Sequence, residues 1–585
     1  MNCIKLIRKD EMMARNEVEI IPATAPSPNM KDYQLTRSSF KWEDIEQDFS
    51  WSTSGMCNIV HEAIDRKCLE GKGDKIALYY SDASRSEQYT YDKLYKLSNR
   101  FARGLQSLGI TKGDRVFIFL PRSPEYYVAM LGTIRIGAIA GPLFEAFMEK
   151  AVKDRLEDSE ASVLVTCPEL LERIPFSELP DIKHVILVGA SEADAGRRQI
   201  TYQELMRQDD SQLIEWVDKH DGMLLHYTSG STGKPKGVVI SHYAMVHMYI
   251  SGKWAYDLKE SDIYWCVADP GWITGTSAGM WAPWLNGASI VVRGGRFDPE
   301  NWYETIEKYK VTVWFSAPTA FRMLMAAGNQ LADKYDLTSI RHILSAGEPL
   351  NPEIIKWSLE IFKVPIYDNW WMTETGSTIV SNFPSLPIKL GSMGNPMPGI
   401  EVDIVNNIGE SMQAYELGNL AIKPKWPGLM KTIWNSDQKY RDYFVNGWYF
   451  SGDSAYKDED GYFWFEGRID DVINTMGERV GPFEVESKLV EHPAVAEAGV
   501  IGVPDPVRGE VVKAYITLRQ GFKDSKELKD DIMSFVRDRL AAHARPRIIE
   551  VRDKLPKTRS GKIMRRVLKA RELDMPTGDV STIDD

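Results

Sequence analysis

Apolar residues along this chain alternate between two spacings. Tyr91 to Leu108 carries them at helical period, and Asp114-Arg-Val-Phe-Ile-Phe-Leu120 follows as a short apolar run ended by Pro121. Glu125 to Ile136 is helical again. Ala138-Ile-Ala-Gly-Pro142, Ala161-Ser-Val-Leu-Val-Thr166 and His184-Val-Ile-Leu-Val188 continue the alternation. Further on come Ser289-Ile-Val-Val-Arg293, Val311-Thr-Val-Trp-Phe315 and His342-Ile-Leu-Ser345. Strands that alternate with helices and are apolar throughout predict α/β sheets of parallel strands, covered on both faces. After about Gly391 the runs shorten and look antiparallel, as in Glu401-Val-Asp-Ile-Val405 and Asn419-Leu-Ala-Ile422. From about Asp471 a small α+β unit follows, rich in Lys and Arg near its end. The predicted division is an N-terminal arm over 1–40, a large domain over 41–469 with a β-rich subdomain, and a small C-terminal domain over 470–585. The arm mixes charges with Pro22, Pro26 and Pro28 and shows no sustained period, so it is expected on the surface or partly disordered.

Length supports this division, because 585 residues exceed what one core usually serves. Apolar content of 43% and charged content of 26% are those of a globular chain. The net charge of -12 argues against a nucleic-acid or anionic-membrane surface. Five cysteines without metal or redox spacing read as free thiols of a reducing compartment. The start of the chain lacks the apolar stretch of about 7–15 residues that a signal peptide needs, and no apolar run reaches the ~18 residues of a spanning helix. A cytoplasmic location is expected.

One loop changes the picture. Gly222 to Thr228 reads as a buried strand and Val238-Val-Ile240 as a second, with a helix beginning near His242. Between them lie Thr228, Ser229, Gly230, Ser231, Thr232, Gly233, Lys234, Pro235, Lys236 and Gly237. Glycines let successive backbone N–H groups turn inward into an anion-binding nest, hydroxyls donate further hydrogen bonds, and the lysines add positive charge. A polyphosphate needs that combination. The Walker pattern requires Ser or Thr after its Lys; here Lys234 is followed by Pro235.

The loop resembles the signature of the adenylate-forming superfamily: acyl-CoA synthetases, peptide-synthetase adenylation domains and luciferases. The resemblance runs from about residue 40 to the C-terminus and is strongest to the AMP-forming acetyl-CoA synthetases. It implies that the loop closes over the β- and γ-phosphates of ATP. It implies that Gly347-Glu348-Pro349 flanks adenine and that Asp368-Asn369-Trp370-Trp371-Met372-Thr373 lines adenine and α-phosphate, the Thr373 hydroxyl reaching the phosphate. By the same resemblance Glu374 helps to hold Mg²⁺, Asp453 of Tyr449-Phe-Ser-Gly-Asp453 binds ribose, and Arg468 and Arg479 face ribose or phosphate. Trp371 would close the acyl pocket, with Ile273, Thr274 and Ala346 as its remaining wall. Asp470 matches the hinge. Thr274, Met476, Gly477 and Arg537 match contacts to CoA, Gly477 lining the pantetheine passage. Val490, His492 and Val495 match a second metal-contact segment. In Leu555-Pro-Lys-Thr-Arg-Ser-Gly-Lys562 the last residue matches the catalytic lysine, which in bacterial relatives is also acetylated, so a lysine acetyltransferase and a deacetylase are implied partners.

The implied reaction joins a carboxylic acid to the α-phosphate of ATP and then to CoA, in either direction. The chain departs from the acetyl-CoA synthetase pattern at Thr276-Ser-Ala, where many members have His-Ser-Tyr, and at Ala346, where Val is frequent. These departures leave the acid open between acetate, propionate and a somewhat larger acid. A stand-alone adenylation domain and a catalytically silent nucleotide-binding protein are the other readings.

Overall fold

The computed structural model describes residues 18–23, 25–194, 198–229, 235–475, 478–506, 508–540, 542–558, 563–577 and 583–584. Two large sheets form the N-terminal part. In the first, eight strands run in the spatial order Thr432–Ile433, Pro235–Ser241, Gly222–Ser229, Ile139–Pro142, Arg115–Ile118, Val163–Thr166, His184–Leu187 and Gln199–Thr201. The last six are parallel neighbours, as the apolar runs predict. Gly222–Ser229 and Pro235–Ser241 instead form an antiparallel hairpin, with Ser229 opposite Pro235. The phosphate-loop residues 230–234 lie outside the described residues, and the second strand begins earlier than its apolar core Val238–Ile240 suggests.

The second sheet has nine strands, in the order Asn395–Pro396, Val380–Ser381, Ile366–Trp370, His342–Ala346, Val313–Ser316, Ile263–Cys266, Ser289–Arg293, Ile76–Ser81 and Ser86–Thr90. Its six central strands are parallel. Helix Pro124–Arg135 is apolar almost all round and is buried over nearly its whole length, as such a helix must be. Its Arg135 is fully buried and makes a two-pronged bond to Asp65, at 2.7 and 2.9 Å. Burial disfavours ionisation of Asp65, but the Arg135 guanidinium outweighs it and holds the carboxyl below the usual range.

The change of texture after Gly391 corresponds to a five-stranded antiparallel sheet spanning Val402 to Arg468. A short turn, Ile469–Asp471, then leads into the small domain. There the long hairpin Val495–Asp505/Gly509–Leu518 pairs with Ile548–Val551 and with Ile473–Thr475, and helices Pro482–Glu491 and Lys526–Arg539 pack on it. Val485, Leu489, Val500, Ile516, Ile532 and Val536 make a separate apolar core.

The N-terminal arm is more ordered than its composition suggests. Ile20–Ile21 pairs with Ile388–Lys389, and helix Tyr33–Ser39 buries Tyr33, whose hydroxyl donates to the Pro396 carbonyl at 2.8 Å. Asn29 accepts no role from periodicity, yet its N–H donates to Asp257 at 2.7 Å. Single anchors of this kind leave no period in the sequence. Residues 1–17 lie outside the described residues.

Candidate active site

The carboxyl ends of the central strands of both sheets open onto one cleft, about 3200 Å³ in volume, with the small domain on its far side. Open α/β sheets bind ligands at this end of their strands. Strand Ile366–Trp370 brings Asp368, Asn369 and Trp370 there, and the turn after it adds Trp371, Met372, Thr373 and Glu374. The turn is closed by Thr375, whose Oγ1 accepts from the Met372 N–H at 3.0 Å. Gly376 follows at φ 76°, and a Cβ there would sit 2.2 Å from the Gly428 carbonyl oxygen. Glycine is the residue that both the angle and this approach permit.

Asp453 extends from the antiparallel sheet into the cleft after Gly452, which has φ 78°. It is 6% exposed and accepts from Trp370 Nε1 at 2.9 Å and from Arg468 at 3.1 Å. The second tryptophan differs: Trp371 Nε1 is buried and finds no partner among the described residues. Thr228 Oγ1, at the root of the phosphate loop, is likewise buried and unpartnered. Buried polar atoms of this kind are costly unless a ligand or water satisfies them.

Across the cleft floor runs a relay that motif reading did not reveal. Lys236 Nζ donates to the Tyr443 hydroxyl at 2.8 Å, and that hydroxyl donates to Glu374 Oε1 at 2.9 Å. The Tyr443 ring stacks on Tyr449 with centroids 5.4 Å apart. Burial lowers the Lys236 pKa, and the Glu374 carboxylate opposes the shift. Burial and then Glu374 raise that of Tyr443, which keeps the phenol protonated as a donor. Asp368 is pushed up to about 8 by burial, only partly countered by the Asn369 N–H, so its carboxyl is largely protonated near neutrality.

Ile273, Thr274, Ala346 and Trp371 line the same cleft, as do Gly347, Glu348 and Pro349. Glu348 Oε2 accepts from Thr319 and Arg322, both at 2.7 Å. From the small domain the lining comes from Asp470, from Phe483, Glu486, Ser487 and Val490 on helix Pro482–Glu491, and from Ile563 to Arg566. Asn351 Nδ2 donates to Ser487 Oγ across the interface at 3.0 Å.

Other expected residues fall elsewhere. Gly230, Ser231, Thr232, Gly233, Lys234, Met476, Gly477 and Lys562 lie outside the described residues, as do the side chains of Ser229 and Arg479. Arg537 is exposed on its helix and pairs with neighbouring Asp538 at 2.7 Å. His492 is buried: its Nδ1 accepts from the Ala494 N–H and its Nε2 is 3.2 Å from Asp531. Both ring nitrogens are thus engaged by groups of the small domain. Val495 is buried and its N–H donates to the His492 carbonyl at 3.0 Å. Among the described residues no three His, Cys, Asp or Glu side chains converge as a metal site, and no helix is long and apolar enough to cross a membrane.

The AMP-binding enzyme family matches residues 65–434, and the AMP-binding enzyme C-terminal domain matches residues 484–562. The acetyl-coenzyme A synthetase of Bacillus subtilis is 61% identical, over 97% of this chain and 100% of its own. The chain belongs to the acetyl-CoA synthetase branch of the AMP-binding enzymes. A second acetyl-coenzyme A synthetase, from Methanothrix thermoacetophila, is 40% identical to this enzyme over 91% of the chain and 86% of its own. Among solved structures, an anthranilate CoA ligase in complex with anthranoyl-AMP aligns with a TM-score of 0.83 at 30% identity, covering 92% of this enzyme and 99% of that chain. The Brucella canis acyl-CoA synthetase aligns with a TM-score of 0.73 at 34% identity, covering 93% and 99%. The motif segments from Thr228 to Asp453 therefore lie in one cleft of an adenylate-forming fold.

Proposed function

We propose that this enzyme activates acetate with ATP and transfers the acetyl group to CoA, releasing pyrophosphate and then AMP. One observation carries the reading: a single cleft brings together Asp453, bonded to Trp370, the Lys236–Tyr443–Glu374 relay, and Ile273, Thr274, Ala346 and Trp371.

In the first step an acetate oxygen attacks the α-phosphorus, the bond to the pyrophosphate oxygen breaks, and acetyl-AMP forms. The attacking carboxylate is its own nucleophile, so alignment and charge neutralisation are the main tasks. Thr373 stands at the end of the motif turn to meet the α-phosphate. Lys562, by resemblance, bridges carboxylate and phosphate as charge builds on the pentavalent phosphorus. Arg479 and Arg468 supply further positive charge, and Thr228 begins the nest for the outer phosphates. Magnesium fits this end of the cleft, because Glu374 is a hard oxygen donor already held by Tyr443. When bound, it neutralises charge on the departing pyrophosphate. In the second step the CoA thiolate attacks the adenylate carbonyl and AMP leaves. Met476, Gly477 and Thr274 are the residues proposed to admit the thiol, after rotation about Asp470.

Ile273, Thr274, Ala346 and Trp371, which line the cleft, are taken as the wall that limits the acid to a short one. A methylene more or less is worth about 1–3 kcal/mol, so acetate is preferred and propionate tolerated. Acid-dependent pyrophosphate–ATP exchange with acetate, propionate, butyrate and hexanoate tests this. Exchange that stays level beyond propionate would overturn the acetate reading, and acyl transfer independent of CoA would favour a stand-alone adenylation domain. Lys562 is also proposed as the point where acetylation, by removing the charge, silences the first step.

A further inference from the structure

His226 is a buried titratable group that the mechanism above does not use. It interrupts an otherwise apolar strand, Met223-Leu-Leu-His-Tyr227, three residues before Ser229 and the phosphate loop. The side chain is 2% exposed, and its pKa is pushed down to about 3 by burial, with a hydrogen bond to the Gly271 backbone opposing the shift. The ring is neutral at any working pH. Its Nε2 lies 2.8 Å from Thr276 Oγ1, and Thr276 is itself wholly buried.

A neutral imidazole has one donor and one acceptor nitrogen. With the ring proton on Nδ1, Nε2 accepts from the Thr276 hydroxyl. That hydroxyl has a second acceptor within reach, the Ile273 carbonyl at 3.2 Å, but the ring nitrogen is closer. The imidazole therefore anchors Thr276, the last residue of Gly271-Trp-Ile-Thr-Gly-Thr276. Ile273 and Thr274, within that segment, are the acyl wall. The segment is otherwise irregular: helix Thr274–Trp281 is wound in wide turns with i→i+5 bonds, such as the Ala282 N–H to the Ser277 carbonyl. Wide turns of this sort are common at functional sites and do not hold their own register well.

We infer that His226 is a specificity-determining positioning residue, which anchors the acid-pocket wall at Thr276 to strand Gly222–Ser229. The pairing also accounts for Thr276: a hydroxyl at that position complements a histidine on the facing strand. The inference rests on the reading that Ile273 and Thr274 bound the acid.

The test uses His226→Leu, His226→Gln and Thr276→Val in the full chain, with pyrophosphate–ATP exchange measured over acetate, propionate and butyrate at saturating ATP. His226→Leu removes the bond to Thr276 and is expected to raise the acetate KM about tenfold, the effect of one lost buried hydrogen bond, with a much smaller change in kcat and an unchanged KM for ATP. The ratio of propionate to acetate kcat/KM should rise several-fold. Thr276→Val should move the ratio in the same direction, and His226→Gln, which can donate and accept, should restore most of it. Circular dichroism and the thermal midpoint identify a variant that fails to fold; if His226→Leu is one, Thr276→Val tests the same link. An unchanged acid ratio in a folded variant, or an equal fall of kcat for every acid, overturns the inference. A wild-type preference for a longer acid would sink the acetate reading alone, since the shift in ratio is measured against wild type whatever acid it favours.

Discussion

Replacing Tyr443 by phenylalanine isolates one hydroxyl at the phosphate end of the cleft. The ring remains, and with it the stack on Tyr449 at 5.4 Å. What is lost is the acceptor for Lys236 at 2.8 Å and the donor to Glu374 at 2.9 Å. Glu374 is 5% exposed. A hydrogen bond to a buried charged group contributes about 1.5–3 kcal/mol. In the nucleotide-free cleft, water replaces most of the missing donor. Domain closure around ATP expels that water, so the deficit is felt mainly in the bound state. The expected result is a KM for ATP raised about 10- to 100-fold. The acetate KM should stay close to wild type, because neither Tyr443 nor its partners Lys236 and Glu374 belong to the proposed acid wall. Raising Mg²⁺ should recover part of the loss if Glu374 positions the ion. The assay is exchange measured against ATP, acetate and Mg²⁺ in turn, with nucleotide binding followed by calorimetry. Equal weakening of acetate and ATP, or unchanged ATP affinity, would refute the relay.

Other outcomes follow from the same geometry. Trp371→Gly should move the optimum to longer acids and lower acetate kcat/KM at least about tenfold, read from the acid series. Asp453→Asn loses the charge facing Arg468, so the preference for ATP over 2′-deoxy-ATP should shrink; an undiminished preference would remove Asp453 from the ribose site. Lys562→Ala should slow adenylate formation by about 100-fold or more while CoA-dependent breakdown of added acetyl-AMP and nucleotide binding persist. Stability should fall with acid. His226 and His242 are pushed down to about 3, and His247 and His342 to about 4, by burial, so each stays neutral in the fold while the unfolded chain takes up a proton near pH 6.5. The unfolded state then binds more protons, and stability, fully present above that pH, is lost as pH falls below it. Asp368, raised to about 8, and Asp269, raised to about 7, work in the opposite sense. The net slope is roughly 2–3 kcal/mol per pH unit between pH 6 and 5, and a thermal midpoint that stays level across that range would contradict it.

What the sequence made legible, and what it hid, divides by the range of the interaction. Apolar runs bounded by Gly and Pro mark strands because their chemistry is local, so His342–Ala346 was visible as a strand, whereas Ile366–Trp370 was legible only through the motif that it carries. The antiparallel turn of Pro235–Ser241 was hidden, since strand direction leaves no mark on the residues themselves. The Trp370–Asp453 bond joins residues 83 apart, and Lys236–Tyr443 joins residues 207 apart. Nothing in Arg441-Asp-Tyr-Phe444 distinguishes Tyr443 from an ordinary half-buried aromatic. His226 was findable in principle. A lone imidazole inside an apolar strand must be paired when buried, and that rule flags it without naming Thr276.

The cleft also shows why the reaction needs both domains. Glu348, which flanks the adenine by resemblance, is tied to Thr319 and Arg322 on the large domain and adds to the negative field around Arg565 on the small one. Burial opposes the charge on Arg565, yet Glu486, Asp471 and Glu348 together hold it protonated. Glu486 is fixed in turn by the Val500 N–H at 2.8 Å and by Arg565 Nε at 2.6 Å. Arg565 stands three residues beyond Lys562. The adenine side and the lysine segment are thus linked through charge across an interface with few direct bonds, of which Asn351–Ser487 is one. Interfaces of this kind hold a domain in place weakly and permit rotation. The face turned to the cleft here carries Ile563 to Arg566 and helix Pro482–Glu491. In the mechanism proposed above, thiol transfer uses a different face of the small domain, and a weakly coupled interface permits that exchange.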